Sequence, residues 1–241
     1  MSHKQNQTWI LVGKTGSGKT YHSQSLLEND LKHIPRENKF LMSPTATEEM
    51  DDTLLPYFDE ENIMNEYDED FINVVLVELA RHERKKVFQK FHYKTDRETG
   101  EKVKIQRKKG AKPKYKEYLL FVDDCMEHLK SPGRTKGLKA LIVKCRHYGI
   151  NLIITSQYYT HIPPEIRTNV KIMVIFGTNT KEIKKLYDEH SIFDKFKDFR
   201  NYFQLLTNER YSHVLINYNH PSQQVFDDNN PTPKEYYASV Y

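Results

Sequence analysis

Short apolar runs alternate along the chain with longer segments in which apolar and polar residues are mixed. The apolar runs, which predict buried β-strands, lie at residues 8–12, 39–42, 118–122, 150–156, 171–176 and 211–217. The segments between them contain little Gly or Pro and predict helices at residues 21–31, 71–91, 134–148, 180–190 and 193–206. Strands that alternate with helices predict an α/β fold, with a doubly wound, mostly parallel sheet sandwiched by helices.

Charge is distributed unevenly along the chain, although the formal net charge is only +4. Residues 48–70 contain eleven Asp or Glu and no Lys or Arg, which suggests a solvated loop or a surface helix. Residues 81–117 contain fifteen Lys or Arg against five Asp or Glu. Such a basic stretch is typical of contact with a polyanion. Its most basic part, residues 94–116, is predicted to be a mobile loop or a hairpin that turns near Thr99 and Gly100.

Composition excludes several classes of protein. The 241 residues include 37% hydrophobic and 29% charged residues, and no apolar run approaches the roughly 20 residues that span a bilayer. The first eight residues lack the apolar core of a secretion signal, so we expect neither membrane insertion nor secretion. Cys125 and Cys145 do not form a C-x-x-C pair, which argues against a zinc site. We predict one domain over residues 1–218, with the basic insertion at about 94–116, and a polar tail over 219–241.

A complete phosphate-binding loop follows the first predicted strand. The octet G-K-T-G-S-G-K-T matches the P-loop pattern and comprises Gly13, Lys14, Thr15, Gly16, Ser17, Gly18, Lys19 and Thr20. The glycines allow the backbone to approach a phosphate, Lys19 is the predicted contact to the β- and γ-phosphates, and the Thr20 hydroxyl is a predicted Mg²⁺ ligand. A glycine-rich turn without a ligand would explain the glycines but not the final Lys-Thr. The sequence therefore predicts binding of a nucleotide with Mg²⁺.

Polar residues follow two further predicted strands. Asp123 and Asp124 end the strand at 118–122, and we assign Asp123 to Mg²⁺ and Asp124 to polarisation of the attacking water. Gln157 ends the strand at 150–156 and is a candidate contact to the γ-phosphate. The alternative is that two solvated acids and a polar residue simply mark strand ends. Because ligands of such sheets lie beyond the carboxyl ends of the strands, these residues and the P-loop are predicted to share one site.

Two arginines flank the strand at 150–156. Arg146 and Arg167 are candidates for a residue supplied to a neighbouring subunit's nucleotide, where a guanidinium stabilises charge on the transferred phosphoryl group. The alternative for each is an ordinary surface or phosphate-facing arginine. No N-K-x-D element follows a strand, which lowers the expectation of a GTPase, and no adenine-reading residue can be identified.

The motifs in their order resemble a family of DNA pumps. The segments GKTGSGKT, LLFVDD, CRHYGINLIITSQ and IRTNVKIMVIFGTN are similar to the FtsK–HerA superfamily, above all to the genome-packaging ATPases of large double-stranded DNA viruses and their virophages. The resemblance implies a RecA-like (ASCE) P-loop core and a homo-oligomeric ring, a pentamer or a hexamer. It also implies the assigned roles of Lys19, Thr20, Asp123 and Gln157, and it favours Arg146 over Arg167. Cellular relatives often carry Glu where this chain has Asp124.

The motifs together with this resemblance predict an ATP hydrolase that translocates double-stranded DNA into a preformed capsid. Other partners would be copies of the chain itself and a capsid protein, in the virion or the host-cell cytoplasm. The predicted DNA contacts are Lys102, Lys104, Arg107, Lys108 and Lys109, whose alternative is a solvated loop. A helicase or conjugation-type ATPase shares every motif. A P-loop small-molecule kinase is a further alternative, which the basic tract and the Arg146–Gln157 spacing disfavour.

Overall fold

The computed structural model describes most of the chain. The described residues are 7–46, 53–88, 91–95, 99–100, 102–106, 116–125, 129, 135–191, 193–218 and 224–226. Among these, only the backbone is described for residues 83–88, 91–95, 102–106 and 224–226.

A central sheet of eight strands organises the described residues. Ten strands are described, two of which form a separate hairpin: β1 Thr8–Val12, β2 Lys39–Met42, β3 Ile63–Met64, β4 Phe91–Thr95, β5 Lys102–Gln106, β6 Tyr118–Val122, β7 Ile150–Ser156, β8 Ile172–Phe176, β9 His213–Asn217 and β10 Gln224–Phe226. The order in the large sheet is β10-β9-β8-β1-β7-β6-β2-β3. Strands β8 to β3 in that order are parallel, whereas β9 and β10 pair antiparallel at one edge.

Helices cover both faces of this sheet. In the described residues they are α1 Lys19–Asn29, α2 Val77–Phe88, α3 Lys136–Tyr148, the short α4 Pro164–Arg167, α5 Thr180–His190 and α6 Phe196–Leu206. A π-helical segment, Phe71–Leu76, leads into α2. None of the described helices is both long and apolar enough to cross a membrane.

Two apolar clusters lie on opposite faces of the sheet, because successive side chains of a strand point to opposite sides. In β1, Trp9 and Leu11 join the cluster with α1, while Ile10 and Val12 join the larger cluster that includes α3, α5 and α6. Every residue of β1, β6 and β7 is buried, which is the reason these strands carry apolar residues on both faces rather than in alternation with polar ones. The core therefore holds three neighbouring strands rigidly, and the predicted site residues follow their carboxyl ends.

The predicted architecture is confirmed. The predicted bounds hold for the strands at 8–12, 39–42, 118–122 and 150–156 and for the helix at 180–190, and the other predicted elements agree within a few residues. The hairpin alternative is confirmed for the basic insertion, where β4 and β5 pair antiparallel on either side of Thr99 and Gly100. Sequence analysis missed β3 in the acidic segment and β10 in the polar tail, because strands of two and three residues carry too little pattern to be recognised.

The strand order carries the information that matters for the site. Strand β7 lies between β1, which leads into the P-loop, and β6, which ends in the two acids. This is a RecA-like P-loop fold, in which the phosphate loop and the carboxylates sit on non-adjacent strands with a polar-tipped strand between them.

Candidate nucleotide site

The P-loop connects β1 to α1 in a conformation that depends on its glycines. Gly16 and Gly18 have φ of 74° and 105°, in the left-handed region that glycine adopts without strain. A Cβ on Gly13 would lie 2.4 Å from Ser17 Oγ and 2.8 Å from Phe176 Cβ, so this position leaves no room for a side chain. The Gly13 N–H donates to the Ser156 carbonyl at 3.1 Å, which ties the loop to the end of β7. The loop is thus shaped by close packing as well as by backbone freedom.

Lys19 opens α1 and folds back over the loop. Its Nζ donates to the carbonyls of Gly13 at 2.7 Å and Lys14 at 3.2 Å. Burial lowers the pKa of Lys19, and the negative charges of Asp124 and Asp123 oppose that shift. The two acids therefore lie close enough to act electrostatically on the P-loop lysine, as one shared site requires. Thr20 follows as an exposed residue in the first turn of the helix.

Asp123 is held by two hydroxyl groups from neighbouring strands. Thr155 Oγ1 donates to its Oδ1 at 2.6 Å and Ser43 Oγ donates to its Oδ2 at 3.0 Å. Burial raises the pKa of Asp123, while these two hydrogen bonds lower it. The carboxylate is therefore oriented by β7 and by the residue after β2.

Asp124 adopts a positive φ of 45° and faces Gln157. The Gln157 Nε2 donates to Asp124 Oδ2 at 2.7 Å, and the Asp124 N–H donates to Thr155 Oγ1 at 3.0 Å. Asp124 Oδ1 is buried and has no hydrogen-bond partner among the described residues. An acceptor oxygen in that position can bind a water molecule or a cation, because leaving it unpaired is costly.

The donor set fits a triphosphate with Mg²⁺. Gly18 at the N-cap of α1 has no side chain to satisfy the first-turn N–H groups, which leaves them available to an anion. Carboxylate and hydroxyl oxygens are the ligands that Mg²⁺ takes in proteins, and the Asp123 carboxylate and the Thr20 hydroxyl are groups of this kind.

The two candidate arginines occupy different environments. Arg146 is exposed near the end of α3 and lines a cavity of about 210 Å³ with Thr8 and Lys171. Thr8 begins β1 and Lys171 precedes β8, so Arg146 lies at the edge of the sheet opposite its own P-loop.

Arg167 is instead buried, with 3% of its surface exposed. Its Nε and Nη2 donate to the two carboxylate oxygens of Glu189 at 2.9 Å and 2.5 Å, and its Nη1 donates to the Ile162 carbonyl at 2.5 Å. The guanidinium carbon also lies 4.7 Å from the centre of the Tyr159 ring. A group held in this way contacts its own core, whereas Arg146 is exposed at the surface.

The basic residues predicted to contact DNA are only partly described. Lys102 and Lys104 belong to β5, where their Cα atoms pair with Thr95 and Tyr93 of β4. Arg107, Lys108 and Lys109 lie outside the described residues. The hairpin forms a sheet of its own, separate from the eight-stranded one.

Sequence reasoning missed the two hydroxyls that hold Asp123. Ser43 directly follows β2, and Thr155 interrupts the apolar run of β7 one residue before it ends. Polar residues at the carboxyl end of a buried parallel strand were the available signal, since that edge is where such sheets place their ligands.

The sequence is similar to those of several viral proteins. The sequence model of the Poxvirus A32 protein family matches residues 3–230. The uncharacterized protein 075L of Invertebrate iridescent virus 6 is 28% identical over 205 residues, covering 83% of this chain and 66% of that protein. The uncharacterized protein 015R of Frog virus 3 is 23% identical over 146 residues, covering 61% of this chain and 41% of that protein. The chain thus spans less than two thirds of the length of these relatives.

Solved structures support the fold. The genome packaging NTPase B204 from Sulfolobus turreted icosahedral virus 2 in complex with AMPPCP has a TM-score of 0.58 and 15% identity, covering 92% of this chain and 97% of that one. The complex of the same NTPase with AMP has a TM-score of 0.56, covering 94% and 98%. The family match extends over nearly the whole chain, so the protein belongs to the Poxvirus A32 protein family, and its fold is that of the genome packaging NTPase B204.

Proposed function

We propose that this chain is an ATP-driven motor that moves double-stranded DNA into a viral capsid. The observation that supports the proposal best is the hydrogen bond between Gln157 and Asp124, beside Lys19 and the P-loop. This hydrogen bond joins Gln157, at the carboxyl end of β7, to Asp124, the residue proposed to activate the attacking water. Such a link suits a site in which the state of the nucleotide is passed to the rest of the domain.

In this proposal each residue has a defined task. The backbone of Gly13 to Thr20 and the Lys19 ammonium bind the phosphates of ATP, and Thr20 and Asp123 hold Mg²⁺. Bound Mg²⁺ would neutralise charge on the phosphate oxygens. Asp124 accepts a proton from the water that attacks the γ-phosphorus, ADP leaves as the P–O bond breaks, and Gln157 orients that water. The products are ADP and inorganic phosphate.

Arg146 is proposed to complete the site of a neighbouring subunit. Because it lies at the opposite edge of the sheet from its own P-loop, it can serve catalysis only between subunits. We therefore propose a homo-oligomeric ring, a pentamer or a hexamer, in which each nucleotide lies at an interface. A guanidinium supplied in this way raises turnover by roughly 10³–10⁵ in other phosphoryl-transfer enzymes.

The hairpin β4–β5 is the proposed DNA-gripping element. It carries Lys102 and Lys104, and the basic tract continues with Arg107, Lys108 and Lys109. A motor has to hold DNA of any sequence, so its contacts are expected to go to phosphate and to weaken with salt. A capsid protein as docking partner, and a location in the virion or the host-cell cytoplasm, complete the proposal.

Steady-state ATP hydrolysis with and without duplex DNA tests this function. We expect duplex DNA to stimulate the wild type, with the stimulation falling as salt rises, and we expect Lys19→Ala to abolish hydrolysis. Lys102→Gln with Lys104→Gln should reduce the DNA stimulation while preserving the basal rate, because neither residue belongs to the nucleotide site. Light scattering in the same buffer reports whether the chain is assembled.

Two outcomes would contradict the proposal. A hydrolysis rate indifferent to DNA in the assembled protein would exclude a DNA motor, and unwinding of a forked duplex would indicate a helicase instead.

For the interface, Arg146→Ala is expected to leave ATP affinity nearly intact and to abolish turnover. If mixing Arg146→Ala with Lys19→Ala subunits restored no activity above either variant alone, the assignment of Arg146 to a neighbour's site would fail.

A further inference from the structure

An exposed tyrosine lies directly against the P-loop. Tyr211 precedes β9, and a Cβ placed on Gly18 would lie 3.1 Å from Tyr211 Cδ1 and 3.5 Å from Tyr211 Cβ. The tyrosine therefore lies beside the N-terminal end of α1, where the loop passes into the helix. About half of its surface, 53%, is nevertheless exposed.

The backbone at Tyr211 is held in an unfavourable conformation. Its φ is 70°, in the left-handed region that residues with a Cβ adopt at a cost in free energy. Such a cost persists where the surroundings impose it, and it is frequent at ligand-binding sites. Burial offsets little of this cost, because about half of the residue is exposed.

Neighbouring contacts hold the Tyr211 turn in place. Ser212 donates through its hydroxyl to the Glu209 carbonyl at 2.7 Å. The next residue, His213, packs its ring 5.3 Å from Phe176 and 4.9 Å from His22, between β8 and α1. The Arg210 guanidinium lies 4.7 Å from the centre of the Tyr211 ring. The ring is thus presented to solvent in a fixed position beside the phosphate loop.

We propose that Tyr211 is the platform on which the base of the bound nucleotide stacks. The inference rests on the proposed binding of ATP at the P-loop. With the phosphates on the loop, the base lies one ribose away, and the Tyr211 ring is an exposed aromatic surface next to that position. Arg210 on the ring extends the stack with a cation–π contact. Stacking reads the area of a base rather than its hydrogen-bonding edge, so the site should prefer purines over pyrimidines and discriminate weakly between adenine and guanine.

Binding titrations with two ligands separate the base contact from the phosphate contact. We would measure the Kd of ATP and of inorganic tripolyphosphate, each with Mg²⁺, by calorimetry on the full chain. Tyr211→Ala is expected to weaken ATP binding by roughly tenfold or more, the effect of losing one stacked base, and to leave tripolyphosphate binding unchanged. Tyr211→Phe should retain both affinities because it keeps the ring. ATP and GTP should bind wild type more tightly than CTP and UTP.

Further variants keep the test decisive. Tyr211→Gly suits the positive φ and therefore folds even if Tyr211→Ala does not, and it must show the same selective loss for ATP. Tyr21, which is 77% exposed and directly follows the loop, is the competing platform. A loss in Tyr21→Ala with none in Tyr211→Gly would overturn the proposal, as would equal losses for ATP and tripolyphosphate in Tyr211→Gly. Lys19→Ala should weaken both ligands, and its failure to do so would instead refute nucleotide binding at the P-loop.

Discussion

Removal of the Arg167 guanidinium is expected to lower the stability of the fold by about 3 kcal/mol. Arg167→Met keeps an apolar stem of similar length but removes both charge-assisted hydrogen bonds to Glu189 and the bond to the Ile162 carbonyl. Breaking a buried pair from one side costs about 3–5 kcal/mol, because the partner charge stays in the interior. We expect a cost at the lower end of this range, because the Glu189 side chain is 20% exposed and retains its ion pair with Lys185 Nζ at 2.9 Å.

The loss should depend on pH in a defined window. Burial raises the pKa of Glu189, but hydrogen bonds from Arg167, Tyr159 and Lys185 outweigh it and bring the pKa from 4.5 down to about 2. Between pH 4.5 and about pH 2, Glu189 of the unfolded chain binds a proton that Glu189 of the folded protein does not. The contribution of the ionised Glu189 to stability is therefore full above pH 4.5 and is lost as the pH falls toward 2. The difference between wild type and Arg167→Met should therefore shrink as the pH falls through that window.

Urea denaturation followed by circular dichroism, repeated at several pH values, measures the loss of unfolding free energy in Arg167→Met and its dependence on pH. Arg146→Ala is the matched control, because Arg146 is exposed and its removal is expected to change stability by no more than about 0.5 kcal/mol. The double variant Arg167→Met with Glu189→Gln should recover part of the loss, since it removes the uncompensated charge. A destabilisation below about 1 kcal/mol, or one that does not vary with pH, would refute the reasoning and return Arg167 to the candidates for an intersubunit role.

Three further predictions concern the nucleotide site. Gly13→Ala would place a Cβ 2.4 Å from Ser17 Oγ and 2.8 Å from Phe176 Cβ. We therefore expect the free energy of unfolding, measured by urea denaturation, to fall by about 1–3 kcal/mol and ATP binding to weaken. Unchanged ATP affinity would contradict this account of the loop. Thr155→Val removes the donor to Asp123 and the acceptor of the Asp124 N–H, and should cost about 1–3 kcal/mol by the same assay, whereas Thr168→Val at an exposed position serves as the control. Burial raises the pKa of Asp123 above the ordinary value of 3.8, and Mg²⁺ needs the ionised carboxylate, so Mg²⁺-dependent ATP binding should weaken on acidification at a higher pH than an ordinary aspartate would cause. Thr155→Val removes a hydrogen bond that lowers this pKa, so binding should begin to weaken at a still higher pH. If the pH at which binding weakens did not move, Asp123 would not be the metal ligand.

Much of the site could be predicted from local sequence. The P-loop octet specifies a conformation through glycines at fixed spacing, and β6 and β7 are apolar runs whose ends coincide with their last buried residues. For that reason Asp123, Asp124 and Gln157 could be placed at strand ends with the correct bounds. The short strand β3 was not predicted, because two residues carry too little pattern. The hydroxyls of Ser43 and Thr155 lie at the carboxyl ends of predicted strands, but the carboxylate that they contact became known only from the fold.

By itself, the sequence determined the alternation of strands and helices, the phosphate loop and the identity of the polar residues at the strand tips, since each depends on neighbours within a few positions. Only the tertiary structure decided which strands are adjacent, and with that the approach of Asp124 to Gln157 and of Tyr211 to Gly18. It also separated two arginines that look equivalent in sequence, placing Arg167 in the core against Glu189 and Arg146 on the surface. The physical reason is that burial and ion pairing arise from contacts between residues far apart in the chain. The residues next to an arginine in sequence therefore do not indicate which carboxylate it contacts in the fold.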